Sequence, residues 1–324
     1  MTNVDGIRYA YLLDAKGGGR ALNRAELQAW TPKDGPLWVY LKRNDDTTRT
    51  ILEQDLDLDA VTVEALLAEE TRPRAVLHGK GALVNLRGVN MNPSADPEDM
   101  VSVRIWVEND RIVTVRQRKL MATTDMADAI ELNKGPKTAG GALAYLSERL
   151  VYRMWPVNEE LDDELNVLEE QLIEEAQPNI RKNLGIVRRR AIALRRFLSP
   201  QREAMIALQT PEAKFLTDLH RVQLRENTDR LQRIIEDLDE VRERAAVIQD
   251  ELVNAISERM NKTMYLLTVV AAVMLPLGFL TGLLGINVGG MPGADNEWAF
   301  WIVTAASGVL MVTEILLLKH LKWI

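Results

Sequence analysis

MYLLTVVAAVMLPLGFLTGLLGINV, residues 264–288, carries no charged side chain, and AFWIVTAASGVLMVTEILLL, residues 299–318, carries only Glu314. A helix needs about 20 mostly apolar residues to cross a ~30 Å hydrocarbon core, and both stretches meet that length. A buried helical pair of a soluble protein is the alternative, but the rest of the chain is strongly charged and such a pair at its end would be unusual. The reading is a membrane hairpin.

Outward from the hairpin, the 324 residues include 27% charged side chains, nearly all before residue 263. That distribution predicts a large water-soluble part on a two-helix anchor. No apolar stretch stands at the N-terminus, so the first membrane helix is expected to act as its own insertion signal. Arg259 and Lys262 precede it, and Lys319, His320 and Lys322 follow the second helix. The connection between them offers Asp295 and Glu297 and nothing basic. Positive residues stay inside, so both termini are expected in the cytoplasm and the chain in the cell inner membrane as a multi-pass protein. Trp298, Trp301 and Trp323 mark the two headgroup levels.

The chain has no cysteine, which removes thiolate ligands and disulfides. His78, His220 and His320 are scattered, so a preformed tetrahedral metal site is not expected. The net charge of −7 argues against nucleic acid and is compatible with attraction of cations. No Walker motif is present, which leaves no visible ATP hydrolysis. The three glycines 17–19 lack phosphate-loop spacing and read as a turn.

The first part reads as mixed α/β. Ile7–Leu13, residues 36–41 and residues 75–85 are β-rich, and Val101–Val107 with residues 111–115 forms a hairpin around Glu108, Asn109 and Asp110. Residues 56–70 and 125–132 read as helices. From Gly141 the chain is mostly helical, with Pro156 expected to kink or break it. Residues 142–175 are acidic and residues 180–198 basic, which predicts an antiparallel pair held partly by opposite charge. The functional alternatives are a cation-attracting surface for the acids and membrane phosphates for the arginines. His220 could reach Glu212 and Asp218, although a surface histidine is the ordinary account.

Residues 212–275 contain neither Pro nor Gly, and Phe215, Leu219, Leu224, Leu231, Ile234, Ile235, Leu238, Val241, Ile248, Leu252, Ile256 and Met260 recur at intervals dominated by three, four and seven. Such a helix could run on the order of 90 Å into the membrane. Its narrow apolar stripe predicts self-association. The expected division is an α/β domain with helical hairpin (1–204), a stalk helix (205–263), membrane helix 1 (264–288), an external loop (289–298), membrane helix 2 (299–318) and a tail (319–324).

Gly285, Ile286 and Asn287 close the first membrane helix. An amide carbonyl can accept hydrogen bonds from metal-bound water without trapping the ion, and it can equally cap the helix; the residues alone favour neither. The run from Leu275, Pro276 and Leu277 through Thr281, Gly282, Leu283, Leu284, Gly285, Ile286 and Asn287 resembles the signature of the CorA superfamily of divalent-cation transporters. That resemblance implies a cytoplasmic α/β domain, a long stalk helix, two C-terminal membrane helices and a homopentamer in the lipid bilayer. It implies transport and no enzymatic turnover, with Gly285, Ile286 and Asn287 at the ion entrance. Most magnesium-transporting members carry Gly-Met-Asn, whereas Ile286 and the loop after it are similar to the zinc-transporting ZntB branch. The expected cargo is therefore Zn²⁺, taken up with a proton gradient, with Mg²⁺, Ni²⁺, Cd²⁺ or Co²⁺ as alternatives and efflux as the alternative direction. The resemblance also implies that the first membrane helix lines the pore. Helical spacing back from Asn287 gives Met264, Leu267, Ala271, Leu275 and Gly278 as the inward stripe. Glu314, an acid inside a membrane helix, is a candidate titrating group, or else an outward-reaching partner of Lys319 or His320. A membrane-anchored scaffold or receptor is the reading from a different class.

Overall fold

The computed structural model describes residues 6–69, 72–174, 179–285, 293 and 296–321. It divides into two units, 1–249 and 250–324, and one long helix contributes to both.

The first unit holds a seven-stranded mixed sheet. In chain order its strands are β1 (Ile7–Leu13), β2 (Gly19–Ala21), β3 (Leu37–Lys42), β4 (Arg74–His78), β5 (Gly81–Gly88), β6 (Val101–Val107) and β7 (Arg111–Arg116), and their spatial order is β2-β1-β3-β7-β6-β5-β4. Only β3 and β7 pair in parallel, with Leu37 opposite Arg111 and Lys42 opposite Arg116; the other pairs are antiparallel. Residues 75–85 are thus two strands, because Gly79, at φ +55°, turns the chain inside that run. The short β2 had no sequence signal. The glycines at 17–19 do form a turn: Asp14 Oδ1 accepts the N–H groups of Lys16, Gly17 and Gly18 at 2.7, 2.9 and 2.9 Å. The first of these bonds contributes most to holding the Asp14 carboxyl below its ordinary range.

Helices cover both sheet faces. Between β2 and β3 lies the short α1 (Arg24–Gln28); α2 (Thr48–Thr50), a π turn (Ile51–Asp55) and α3 (Ala60–Leu67) follow β3. Ile51, Leu52, Leu56, Val63 and Leu66 pack on Leu37, Val39, Leu41, Val113 and Val115. The opposite face carries Trp38 and Tyr40, and is covered by α4 (Met121–Glu131), α5 (Ala139–Glu174) and α6 (Ile180–Ala207). Burial on both faces is why β3 reads as an unbroken apolar run.

Both α5 and α6 pass through a proline without ending. Pro156 leaves the carbonyl of Tyr152 without a helical donor, and Tyr152 is exposed, so water can replace the missing N–H. The acidic and basic helices do meet through charge. Arg190 of α6 pairs with Glu164 of α5 at 2.8 Å. Arg244, on α7 (Asp218–Leu284), holds Asp162 at 3.0 Å and Glu169 at 2.6 Å. Such partly exposed pairs contribute about 0.2–1 kcal/mol each. Each fully buried Leu or Ile contributes about 1.5–3 kcal/mol. Packing therefore supplies the stability, and the ion pairs select the register.

That packing corrects one expectation. Leu224, Leu231, Ile234, Leu238, Val241 and Ile248 are buried within this single chain. That part of the stripe is already covered by its own domain and gives no reason for self-association, whereas Leu219, Ile256 and Met260 remain exposed. The helix also begins at Asp218 rather than just after Pro211, because residues 211–217 turn first. His220 is half-buried there, not a free surface group. Its Nδ1 accepts the Thr217 N–H at 3.3 Å while Thr217 Oγ1 accepts the His220 N–H at 3.4 Å, which satisfies donors at the helix start. Burial, then the neighbouring Arg221, lowers its pKa.

The start of α5 lies against this corner. A Cβ on Gly140 would stand 2.2 Å from the Phe215 carbonyl oxygen, a backbone atom with little freedom to retreat. Gly140→Ala should cost about 1–3 kcal/mol, as overpacking typically does. A thermal melt of the purified variant checks this, and an unchanged Tm would contradict the close approach.

Candidate ion pathway

The second unit contains the end of α7 and α8 (Ala299–His320), and both helices are long and apolar enough to cross a membrane. On α7 the half-buried positions are Val269, Ala272, Val273, Leu277 and Leu280. On α8 they are Ala299, Val303, Ser307, Leu310 and Glu314, with Leu318 buried and Gly308 standing apart. At 3.6 residues per turn the α8 positions other than Gly308 fall within an arc of about 100°, the seam of a helical hairpin.

Met264, Leu267, Ala271, Leu275 and Gly278 are all exposed and fall within about 80° of the α7 circumference. The centre of that arc lies opposite the half-buried positions. A Cβ on Gly278 would meet nothing within 4 Å. The face is therefore smooth, uncharged and uncovered by the chain's own second helix. Thr281 does not disturb it, because its Oγ1 donates to the Leu277 carbonyl at 2.9 Å. Pro276 lies inside the helix without ending it. Gly285 stands just beyond the last turn, its N–H donating to the carbonyls of Thr281 and Gly282 at 2.9 and 3.2 Å. Ile286 and Asn287 lie outside the described residues, as does most of the expected external loop.

Glu314 makes no ion pair with Lys319 or His320. It sits on the seam stripe, where its Oε2 is buried without a hydrogen-bond partner, as is the Ser307 Oγ two turns earlier. A buried carboxylate oxygen without a donor is expensive in a low-dielectric setting. The seam polarity contributed by Ser307 was not read from the sequence.

Among the described residues no group of three or more His, Asp or Glu is placed to hold a metal ion. The acidic face of α5 does border a cavity of about 600 Å³ with Asn158, Asp162 and Asp237 in its wall. Asn158 donates to Asp237 Oδ2 at 2.9 Å. Burial, reinforced by Glu240, Asp162 and Glu236, raises the Asp237 pKa against that hydrogen bond. This cavity is a place of negative potential, as expected of a cation-attracting surface, but one of its acids already belongs to Arg244.

Residues 33–320 match the family model described as CorA-like Mg2+ transporter protein. The divalent cation transporter CmaX of Pseudomonas aeruginosa is 37% identical over 98% of this chain and 97% of its own length. The zinc transport protein ZntB of Yersinia enterocolitica is 31% identical over 98% of this chain and 95% of its own. The structure of full-length CmaX superposes with a TM-score of 0.87 at 36% identity, covering 99% of both chains. The complete structure of the CorA magnesium transporter from Methanocaldococcus jannaschii gives a TM-score of 0.83 at 18% identity, covering 100% of both chains, a likeness of fold. An α/β domain with a mixed sheet, a long helix running out of it and an apolar C-terminal hairpin are shared along nearly the whole length, and the chain belongs to the CorA superfamily of divalent-cation transporters, among its CmaX-like and ZntB-like members.

Proposed function

We propose that this chain carries Zn²⁺ into the cell through a homopentameric pore, with proton movement as part of the driving force. The observation that carries the pore is the exposed stripe Met264, Leu267, Ala271, Leu275 and Gly278, uncharged and turned away from the hairpin seam. An apolar face of that width has no partner among the described residues of its own chain. Identical copies around an axis would close it into a narrow wall, along which hydrated ions pass and which dewets when constricted. The number five rests on the family resemblance. Asn287 would set a ring of neutral carbonyls at the outer mouth, flanked by Gly285 and Ile286. The flanking charges favour both termini in the cytoplasm and the hairpin in the inner membrane.

Zinc is supported by the ZntB relatives and by Ile286 in the tripeptide. Magnesium is the second reading, favoured by the family model's own description, and there the membrane potential alone would drive entry. Glu314 is the candidate proton carrier, since its buried oxygen lacks a donor.

Asn287→Ala removes one acceptor per copy at a single level of the pore. Zinc flux should fall at least about tenfold, the equivalent of about 1.4 kcal/mol, while the protein still reaches the membrane and assembles. Uptake into liposomes by the assembled variant checks this, and unimpaired flux would leave Asn287 a helix cap.

The ion and its driving force are separable in one reconstituted system. With a zinc-sensitive dye inside, an inward proton gradient at fixed membrane potential should accelerate Zn²⁺ entry, and Glu314→Gln should abolish the acceleration. Mg²⁺ entry far exceeding Zn²⁺ entry, indifferent to the gradient, would establish the magnesium reading instead.

A further inference from the structure

The cavity beside Asp237, in the first unit, is walled mainly by acids. α5 and α7 meet there through Asn158 and Asp237, and again where Arg244 holds Asp162. These four residues stand in the wall of the cavity of about 600 Å³, together with Trp155, Glu159 and Asp163 of α5 and Glu240 of α7. Among the described residues Arg244 is the one cation in that wall, and it is committed to Asp162 and Glu169. Glu159, Asp163 and Glu240 form no ion pair among the described residues.

Exposed acids alone need only water, but Asn158 is just 5% exposed. Its Nδ2 donates to Asp237 Oδ2 at 2.9 Å, and its Oδ1 is buried without a donor. Turning the amide over would set its oxygen against the Asp237 carboxylate, so the empty position is that of an acceptor. A buried acceptor without a donor is costly. Together with the carboxylates around it, this oxygen calls for a ligand that is positive and carries N–H groups.

A bare metal ion does not answer that description. It needs several oxygens around one point, and among the described residues no three acids converge in that way. Carboxylates dispersed over a wall suit a cation whose charges are spread along a chain. Trp155, 44% exposed in the same wall, offers an indole face to ammonium groups and to the methylenes between them.

We propose that this cavity binds a linear polyamine, with one ammonium group donating to Asn158 Oδ1 and Asp237, a second held by Glu159, Asp163 or Glu240, and the connecting chain lying along Trp155. A volume of this size accommodates a small soluble ligand, and a hydrogen bond from a charged donor is stronger than one from water.

The test is titration calorimetry on the full-length protein in detergent, in metal-free buffer at about 0.15 M salt, where attraction between separated exposed charges is largely screened. Spermidine, putrescine and magnesium chloride are the separate probes. Saturable spermidine binding is expected, tighter than that of the shorter diamine. Glu240→Gln and Trp155→Leu change exposed side chains, so both variants should fold, and each should weaken spermidine binding at least about fivefold. Asp46→Asn, the same kind of charge removal at an exposed position after β3, should leave affinity within about twofold. Absence of saturable spermidine binding up to about 1 mM, an unchanged affinity in Trp155→Leu, or equal losses in Glu240→Gln and Asp46→Asn would overturn the proposal. Mg²⁺ binding that Glu240→Gln removes, without spermidine binding, would overturn it too and assign the acids to an inorganic cation. Dissociation of an oligomer in Glu240→Gln, again with no spermidine binding by the unaltered protein, would overturn it and assign them to a basic side chain of a second copy.

Discussion

Backbone hydrogen bonds cannot be left open in hydrocarbon, and α7 meets that constraint by continuing the helix begun at Asp218 through to Leu284. The same helix meets two solvents with two different faces. In the first unit it turns Leu224, Leu231, Ile234 and Leu238 into its own domain. Beyond Met264 the surrounding apolar medium removes the hydrophobic drive for burial, and small residues that permit close approach decide the packing instead. Gly278 and Gly282, with no atom within 4 Å of an added Cβ, are where a neighbouring backbone could come closest. In the proposed pore, the wall and the helix interface would ask for the same residues, so a single stripe would serve both.

Charge is used differently in two places. Between α5, α6 and α7 it is paired across helices and fixes their register. In the cavity beside Asp237 it is left partly negative. The cavity is a local departure from a paired surface, inside a chain of net charge −7.

The hairpin, the mixed sheet and the long helix were legible in the sequence because each depends on periodicity or length. Helical spacing also separates the exposed Gly278 and Leu275 from the half-buried Leu277 and Val273, and a pore wall on the exposed face is the proposal made above. What escaped was whatever depends on distant parts of the chain. A three-residue strand at Gly19–Ala21 has too little pattern to announce itself. Pro156 read as a break because a missing N–H is costly only where water cannot replace it, and exposure of Tyr152 is a property of the fold. The apolar stripe from Phe215 to Met260 read as an interface between copies because the sequence does not say that much of it is buried within the chain's own fold.

The central claim is that the face of α7 opposite the seam is the wall of a pore shared by several copies. The chain has no native cysteine, so single cysteines can be read without background. Leu267→Cys and Leu277→Cys, reconstituted in liposomes, place a thiol on the exposed stripe and on the seam. The account predicts that a water-soluble thiol reagent blocks zinc flux through the Leu267→Cys protein and that oxidation cross-links its copies, while the Leu277→Cys protein is insensitive to both. Block and cross-linking at position 277, with position 267 unaffected, would contradict it.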